Sequence, residues 1–202
     1  MHFVYIFDLF GTFAFAVSGA LLGTKKNMDI YGLFVLAFVV AVGGGTIREM
    51  VLGSIPPFLF VDPNYLYVTV AAVLLVIFFN RKVEQRMRYF TVMDAIGLGV
   101  FTVIGATKAI NFGLEWFGVL LISILTSTGG GMIRDILAGE IPFVLRKEVY
   151  ASASLAGALI FLLLHKAGMP DNVNAFTAAV VVIGIRLITL KKNYNLPKAY
   201  IK

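Results

Sequence analysis

Polar residues punctuate this chain rather than alternate along it. Apolar runs open near residues 3, 30, 65, 91, 116, 149 and 172, with short polar breaks between them. Each run is about long enough to cross ~30 Å of hydrocarbon as a helix. The pattern predicts an all-α integral membrane protein with seven transmembrane helices, at about 3–23, 30–53, 65–80, 91–108, 116–138, 149–166 and 172–190. The first run has no basic residue before it and carries Asp8, so it reads as a retained helix and not as a signal peptide. Connections are short and no low-complexity linker interrupts them, so residues 1–202 are read as a single transmembrane domain. Pro56, Pro57 and Pro142 close the second and fifth helices, because proline lacks the N–H that a helix interior needs. The stretch from Arg81 to Arg88 reads as the one sizeable polar connection.

Deep in the second and fifth runs lie Gly43-Gly44-Gly45-Thr46-Ile47-Arg48-Glu49 and Gly129-Gly130-Gly131-Met132-Ile133-Arg134-Asp135. Each glycine weakens a helix by roughly 1 kcal/mol against alanine. The triplets therefore predict kinks in helices 2 and 5, with breaks that free backbone carbonyls. The two motifs are 86 residues apart, and that offset pairs 15 identical residues over positions 8–56, among them Asp8/Asp94, Gly11/Gly97, Phe15/Phe101 and Gly53/Gly139. This is an internal repeat, with repeat 1 at about 1–80, repeat 2 at about 90–166, and helix 7 at about 172–190 outside it. Each copy holds three spans, so the second copy enters from the opposite face. An inverted 3+3 repeat with interrupted helices is a transport architecture, whose path lies near the midplane between the copies.

Composition agrees: 59% of residues are hydrophobic and 14% charged, too little charge to cover a soluble surface. Cysteine is absent, which removes disulfides, thiolate metal sites and cysteine nucleophiles. Predicted loops on one side carry 12 Lys and Arg residues, and those on the other side carry only Lys108 and Lys166. The positive-inside rule then puts the C-terminus in the cytoplasm and the N-terminus outside, across an inner (plasma) membrane. Because these charges are spread over several short loops, no nucleic-acid partner is expected. His2 and His165 lack metal-ligand spacing, and no HExxH, GxSxG or Walker pattern occurs. Neither catalysis nor a cofactor is expected.

Gly45, Glu49 and Gly53 recur every fourth residue on one helix face, as do Gly131, Asp135 and Gly139. Each carboxylate thus lies on a small-residue stripe open to another backbone or to a water-filled path, and a plain packing stripe has the same pattern. Ionisable groups inside a membrane are costly and usually face a cavity or a partner. Arg48 and Arg134 each need a partner, and we expect Asp8 to neutralise Arg48 and Asp94 to neutralise Arg134. The alternative for Asp8 is a solvated carboxylate favouring its own helix dipole.

The repeats differ just before the glycines, where Ala37, Val40, Ala41 and Val42 become Ser123, Thr126, Ser127 and Thr128. Ser123, Ser127, Gly130 and Arg134 share a face, giving a hydroxyl track toward a charge, unless the hydroxyls bond back to their own helix. Phe15 and Phe101 share faces with Asp8/Gly11 and Asp94/Gly97 and are candidates for an apolar constriction, or for ordinary core. Arg186 is expected to snorkel to the headgroups.

Two copies of GGG-x-I-R-[DE], each followed by G-x-I-P at 53–56 and 139–142, resemble the trimeric intracellular cation (TRIC) channel family of bacteria and archaea over almost the whole chain. The resemblance implies a homotrimer with one ion path inside each protomer, permeable to monovalent cations, chiefly K⁺. It also implies kinks at Gly43–Gly45 and Gly129–Gly131. Close bacterial relatives are also catalogued as possible glycine transporters.

The expectation is a K⁺ channel whose path is lined by Gly43, Gly44, Gly45, Arg48, Glu49, Ser123, Ser127, Gly129, Gly130, Gly131, Arg134 and Asp135. Its expected partners are further copies of itself, membrane phospholipids and K⁺ or Na⁺, with no metal beyond the transient ion. The alternative is a secondary transporter for glycine or another small zwitterion.

Overall fold

A computed structural model of the chain describes residues 2–79, 83–146 and 149–192. In chain order its helices are α1 (His2–Lys25), α2 (Ile30–Leu52), a 3-10 turn at Phe58–Phe60, α3 (Asn64–Phe78), α4 (Val83–Asn111), α5 (Trp116–Leu137), the short α6 (Phe143–Arg146), α7 (Ala151–Lys166) and α8 (Asp171–Lys192). Among the described residues there is no strand. By length and composition α1, α2, α4, α5 and α8 are apolar enough to cross a membrane, and the apolar α3 and α7 are shorter.

Local chemistry sets the helix limits. Asp29 Oδ1 accepts a hydrogen bond from Gly32 N at 2.7 Å, capping the start of α2. At the other end Gly53 turns left-handed with φ 72°, and the Ser54 N–H returns to Glu49 O at 2.9 Å. After α5 the chain turns the same way at Gly139, with φ 70° and the Glu140 N–H on Asp135 O at 2.8 Å. Only glycine takes this conformation without strain.

The connection expected from Arg81 to Arg88 is shorter than that, because α4 already begins at Val83. The segment Val83-Glu84-Gln85-Arg86-Met87-Arg88 holds neither glycine nor proline, and five of its residues are strong helix formers. Five of the 12 Lys and Arg residues counted above to orient the chain, Arg81, Lys82, Lys147, Lys198 and Lys202, lie outside the described residues.

α1 packs against α2, α3 and α4, while α4 packs in turn against α5, α7 and α8. α2 and α5 cross each other at their glycine triplets. Neither helix breaks there, since both are helical without interruption through all three glycines. The expected run of freed carbonyls is therefore not formed. What the glycines supply is closeness: a Cβ added at Gly44 would lie under 3.0 Å from the Thr126 carbonyl oxygen, and one at Gly130 equally close to the Val40 carbonyl oxygen. The two backbones touch, and a helix holds its ladder when a neighbouring backbone fills the space a side chain would take.

α1 and α4 meet through aromatic rings. Phe15 lies over Gly97, and Phe101 reaches toward Gly11. The two ring centroids stand 5.2 Å apart, and both residues are buried among Leu36, Val40, Val100 and Ile104.

Candidate functional site: two buried charge clusters

Arg134 and Asp94 form the tighter of two clusters. Its elements are α4, which carries Asp94, and α5, which carries Arg134 and Asp135. Arg134 Nη1 donates to Asp94 Oδ1 at 2.5 Å and to Ser18 Oγ at 3.2 Å, while its Nε donates to Asp135 Oδ1 at 2.9 Å. The guanidinium lies over the rings of Phe90 and Phe143, at 4.7 and 5.4 Å from their centroids. The Tyr150 hydroxyl also donates to Asp94 Oδ1, at 3.2 Å. From α8, Arg186 places Nη2 3.8 Å from Asp94 Oδ2. All four charged side chains are almost wholly buried.

Arg186 does not snorkel. It is 2% exposed, donates from Nη1 to Val149 O at 3.0 Å, and lies over the Tyr150 ring at 4.7 Å. A carbonyl, a ring face and a nearby carboxylate give the guanidinium partners in the interior, so the headgroups offer it no advantage.

The Asp8 cluster has corresponding residues and a different closure. Arg48 Nη2 donates to Glu49 Oε1 at 3.2 Å, and Lys108 Nζ from α4 stands 3.8 Å from the same oxygen. The Tyr65 hydroxyl donates to Asp8 Oδ2 at 2.9 Å. Among the described residues no ion pair joins Asp8 to Arg48, and Asp8 Oδ1, Arg48 Nε and Arg48 Nη1 are buried without hydrogen-bond partners. Thus the structure joins Asp94 to Arg134 and leaves the expected Asp8–Arg48 pair open. The tyrosine hydroxyl holds Asp8, and the adjacent carboxylate holds Arg48.

Glu49 and Asp135 share one task. Glu49 Oε2 accepts from the Phe58 N–H at 2.6 Å, and Asp135 Oδ2 from the Phe143 N–H at 2.8 Å. Each carboxylate ties the segment after its helix back onto that helix. Gly45 faces the Phe58 ring and Gly131 the Tyr150 hydroxyl, while Gly43 and Gly129 lie at the α2–α5 crossing.

The hydroxyl track resolves into local bonds. Ser123 donates to Val119 O, Thr126 to Ile122 O and Thr128 to Ile124 O, each within its own helix. Ser127 also reaches outward: its Oγ lies 2.8 Å from Ser154 Oγ of α7, which in turn accepts from Thr102 Oγ1 of α4 at 2.9 Å. Among the described residues, no group of three or more His, Asp or Glu side chains is placed to hold a metal ion.

Beside the Asp8 cluster lies a cavity of about 560 Å³, lined by Tyr5, Asp8, Tyr65, Thr107, Lys108 and His165 among others. The starts of α1, α3 and α8 and the ends of α4 and α7 meet around it.

Sequence reasoning missed Phe58/Phe143 and Tyr65/Tyr150, which complete both clusters. They are 85 residues apart, not 86, so a repeat comparison that allowed one deletion after Pro56/Pro142 reveals them. Lys108 and Arg186 have no counterpart by the repeat and carried no such signal.

A family model described as "Glycine transporter" matches residues 5–81 and 91–166. A UPF0126 membrane protein of Vibrio cholerae is 40% identical over 196 residues, covering 96% of this chain and 82% of that one. The UPF0126 inner membrane protein YadS of Escherichia coli is 39% identical over 96% of this chain and 95% of its own. Among solved structures, the TRIC trimeric intracellular cation channel orthologue from Rhodobacter sphaeroides superposes with TM-score 0.91 at 34% identity, covering 96% of this chain and 100% of that one. A prokaryotic TRIC channel crystallised in 0.5 M KCl also matches with TM-score 0.91 and 34% identity, over 97% of this chain and 100% of that one. With its sequence relatives, its fold and its doubled glycine motif in agreement, the chain belongs to the UPF0126 family of membrane proteins, the family of the prokaryotic TRIC channels.

Proposed function

We propose that the protein is a channel for monovalent cations, chiefly K⁺, with an ion path through each protomer of a homotrimer. The observation that carries this reading is the likeness to solved TRIC cation channels, with TM-score 0.91 over 96% of the chain. On this reading α1–α3 and α4, α5 and α7 are inverted copies, α8 is the seventh span, and the C-terminus is cytoplasmic. The exposed apolar helix faces then meet phospholipid or a neighbouring protomer.

The path runs from the cavity beside Asp8, past Arg48 and Glu49, along the crossing of Gly43–Gly45 with Gly129–Gly131, to Arg134 and Asp135. Phe15 and Phe101 form its constriction, and bending of α2 and α5 at the glycines moves them. Ser127, bonded across to α7, belongs to the path more than Ser123, whose hydroxyl is spent on its own helix. A bare arginine beside a cation path repels the ion, and here Arg48 and Arg134 each have a carboxylate within 3.2 Å.

A planar bilayer holding the purified protein under a KCl gradient tests the proposal. Step-like currents that reverse near the K⁺ equilibrium potential are expected. Silence in that assay, together with saturable glycine uptake by proteoliposomes, supports the second reading instead. That reading draws on the description of the family model and on the cavity, which offers Asp8 to an ammonium group and Lys108 to a carboxylate.

A further inference from the structure

α8 lies outside the internal repeat and outside the residues matched by the family model. Among the described residues it nevertheless delivers the charge that makes the Asp94 cluster neutral. Arg134 and Arg186 face Asp94 and Asp135 there, two cations against two carboxylates, with 0–2% of each residue exposed. In the Asp8 cluster the second cation is Lys108, whose side chain is 42% exposed. Solvent and salt screen Lys108, and Arg186 is shielded from both. Among the described residues the two clusters thus carry the same formal charge, differently anchored.

We infer that Arg186 is a specificity-determining residue of the path: it cancels the second buried carboxylate at the Asp94 end and pins the start of α7 over it. The pin is its hydrogen bond to Val149 O and its stacking on Tyr150, whose hydroxyl reaches Asp94. This rests on the channel reading above. Without Arg186 the cluster holds one uncompensated buried negative charge, which draws cations into that end.

The test compares R186M, R186K and the double variant R186M/D94N in planar bilayers. R186M is expected to raise K⁺ conductance from the Asp94 side by about tenfold at low salt, with rectification that fades as KCl is raised. R186K is expected to restore conductance close to that of the parent. R186M/D94N removes one charge of each sign, so its conductance is expected to fall back as well. If R186M and the double variant behave alike, or if R186M leaves conductance and rectification unchanged, the charge role is overturned.

A second readout does not need current. The chain has no cysteine, so S154C introduces a single thiol at a position with 0% exposure, one turn beyond Tyr150. Adding R186M to S154C is expected to speed its modification by a cationic methanethiosulfonate by roughly tenfold. An unchanged rate overturns the pin. A silent parent protein whose S154C still responds to R186M refutes the channel reading, and the path role with it, and leaves only the pin of Arg186 on the start of α7 standing.

Discussion

Replacing Gly44 with alanine puts one methyl group where α2 and α5 have their backbones in contact. The added Cβ would lie under 3.0 Å from the Thr126 carbonyl oxygen, where ordinary contact begins at 3.4 Å. That oxygen belongs to the α5 backbone and cannot rotate aside, so the helices must separate. Overpacking of this kind costs about 1–3 kcal/mol. In a chain of this length each kcal/mol lowers the midpoint of heat unfolding by about 2–4 °C, so G44A is expected to melt roughly 2–12 °C below the parent in detergent. G130A, which meets Val40 O in the same way, is expected to match it. The double variant is expected to cost less than the sum, because one separation relieves both clashes. G184A is the control: nothing stands within 4 Å of its Cβ, and alanine's helix propensity favours it by about 1 kcal/mol. Should G44A melt with the parent while G184A destabilises, the backbone contact does not hold these helices together.

Other variants separate the two charge clusters. D94N leaves two buried arginines facing one carboxylate and is expected to cost about 3–5 kcal/mol in heat unfolding, while D8N keeps an acceptor for Tyr65 and is expected to cost at most about 1 kcal/mol; equal losses refute the asymmetry. Y65F removes the hydrogen bond that Asp8 accepts among the described residues, and its expected cost is about 1–3 kcal/mol by the same assay. S127A loses a bond to α7 and is expected to destabilise by about 1 kcal/mol, whereas S123A, bonded only to its own helix, is expected to stay within about 0.5 kcal/mol of the parent. K26A breaks the half-exposed pair with Glu140, at 2.7 Å, and its expected cost of about 0.2–1 kcal/mol vanishes in high salt.

Helix positions were legible in the sequence because membrane helices advertise themselves by length and apolarity. Asp94 with Arg134 was also legible, from the repeat and from the cost of a lone buried charge. What failed was the extension of that logic by symmetry to Asp8 and Arg48. Arg48 and Arg134 each have a carboxylate on the very next residue and each is held by it, but only Arg134 also reaches the aspartate of a neighbouring helix, and that difference lies in tertiary placement. The glycine triplets were read through propensity, which weakens an isolated helix, while their packing partner, the other triplet, was already visible 86 residues away. Lys108 and Arg186 reach their carboxylates only through tertiary packing of α4 and α8, and neither periodicity nor repeat spacing encodes that.

The adjacency of Arg48 to Glu49, and of Arg134 to Asp135, bears on how the chain enters the bilayer during synthesis. An arginine costs up to about 2.5–3.5 kcal/mol at the centre of an inserting helix on insertion scales, and less toward the end, where Arg48 and Arg134 lie. α5 leaves the ribosome well after α2, about 4–17 s later at ordinary elongation rates. Through that interval Arg48 already has its counter-ion on its own helix, in the 3.2 Å contact with Glu49. α2 and α5 each carry their own neutraliser into the translocon, and the glycine surfaces need only find each other once both are in place.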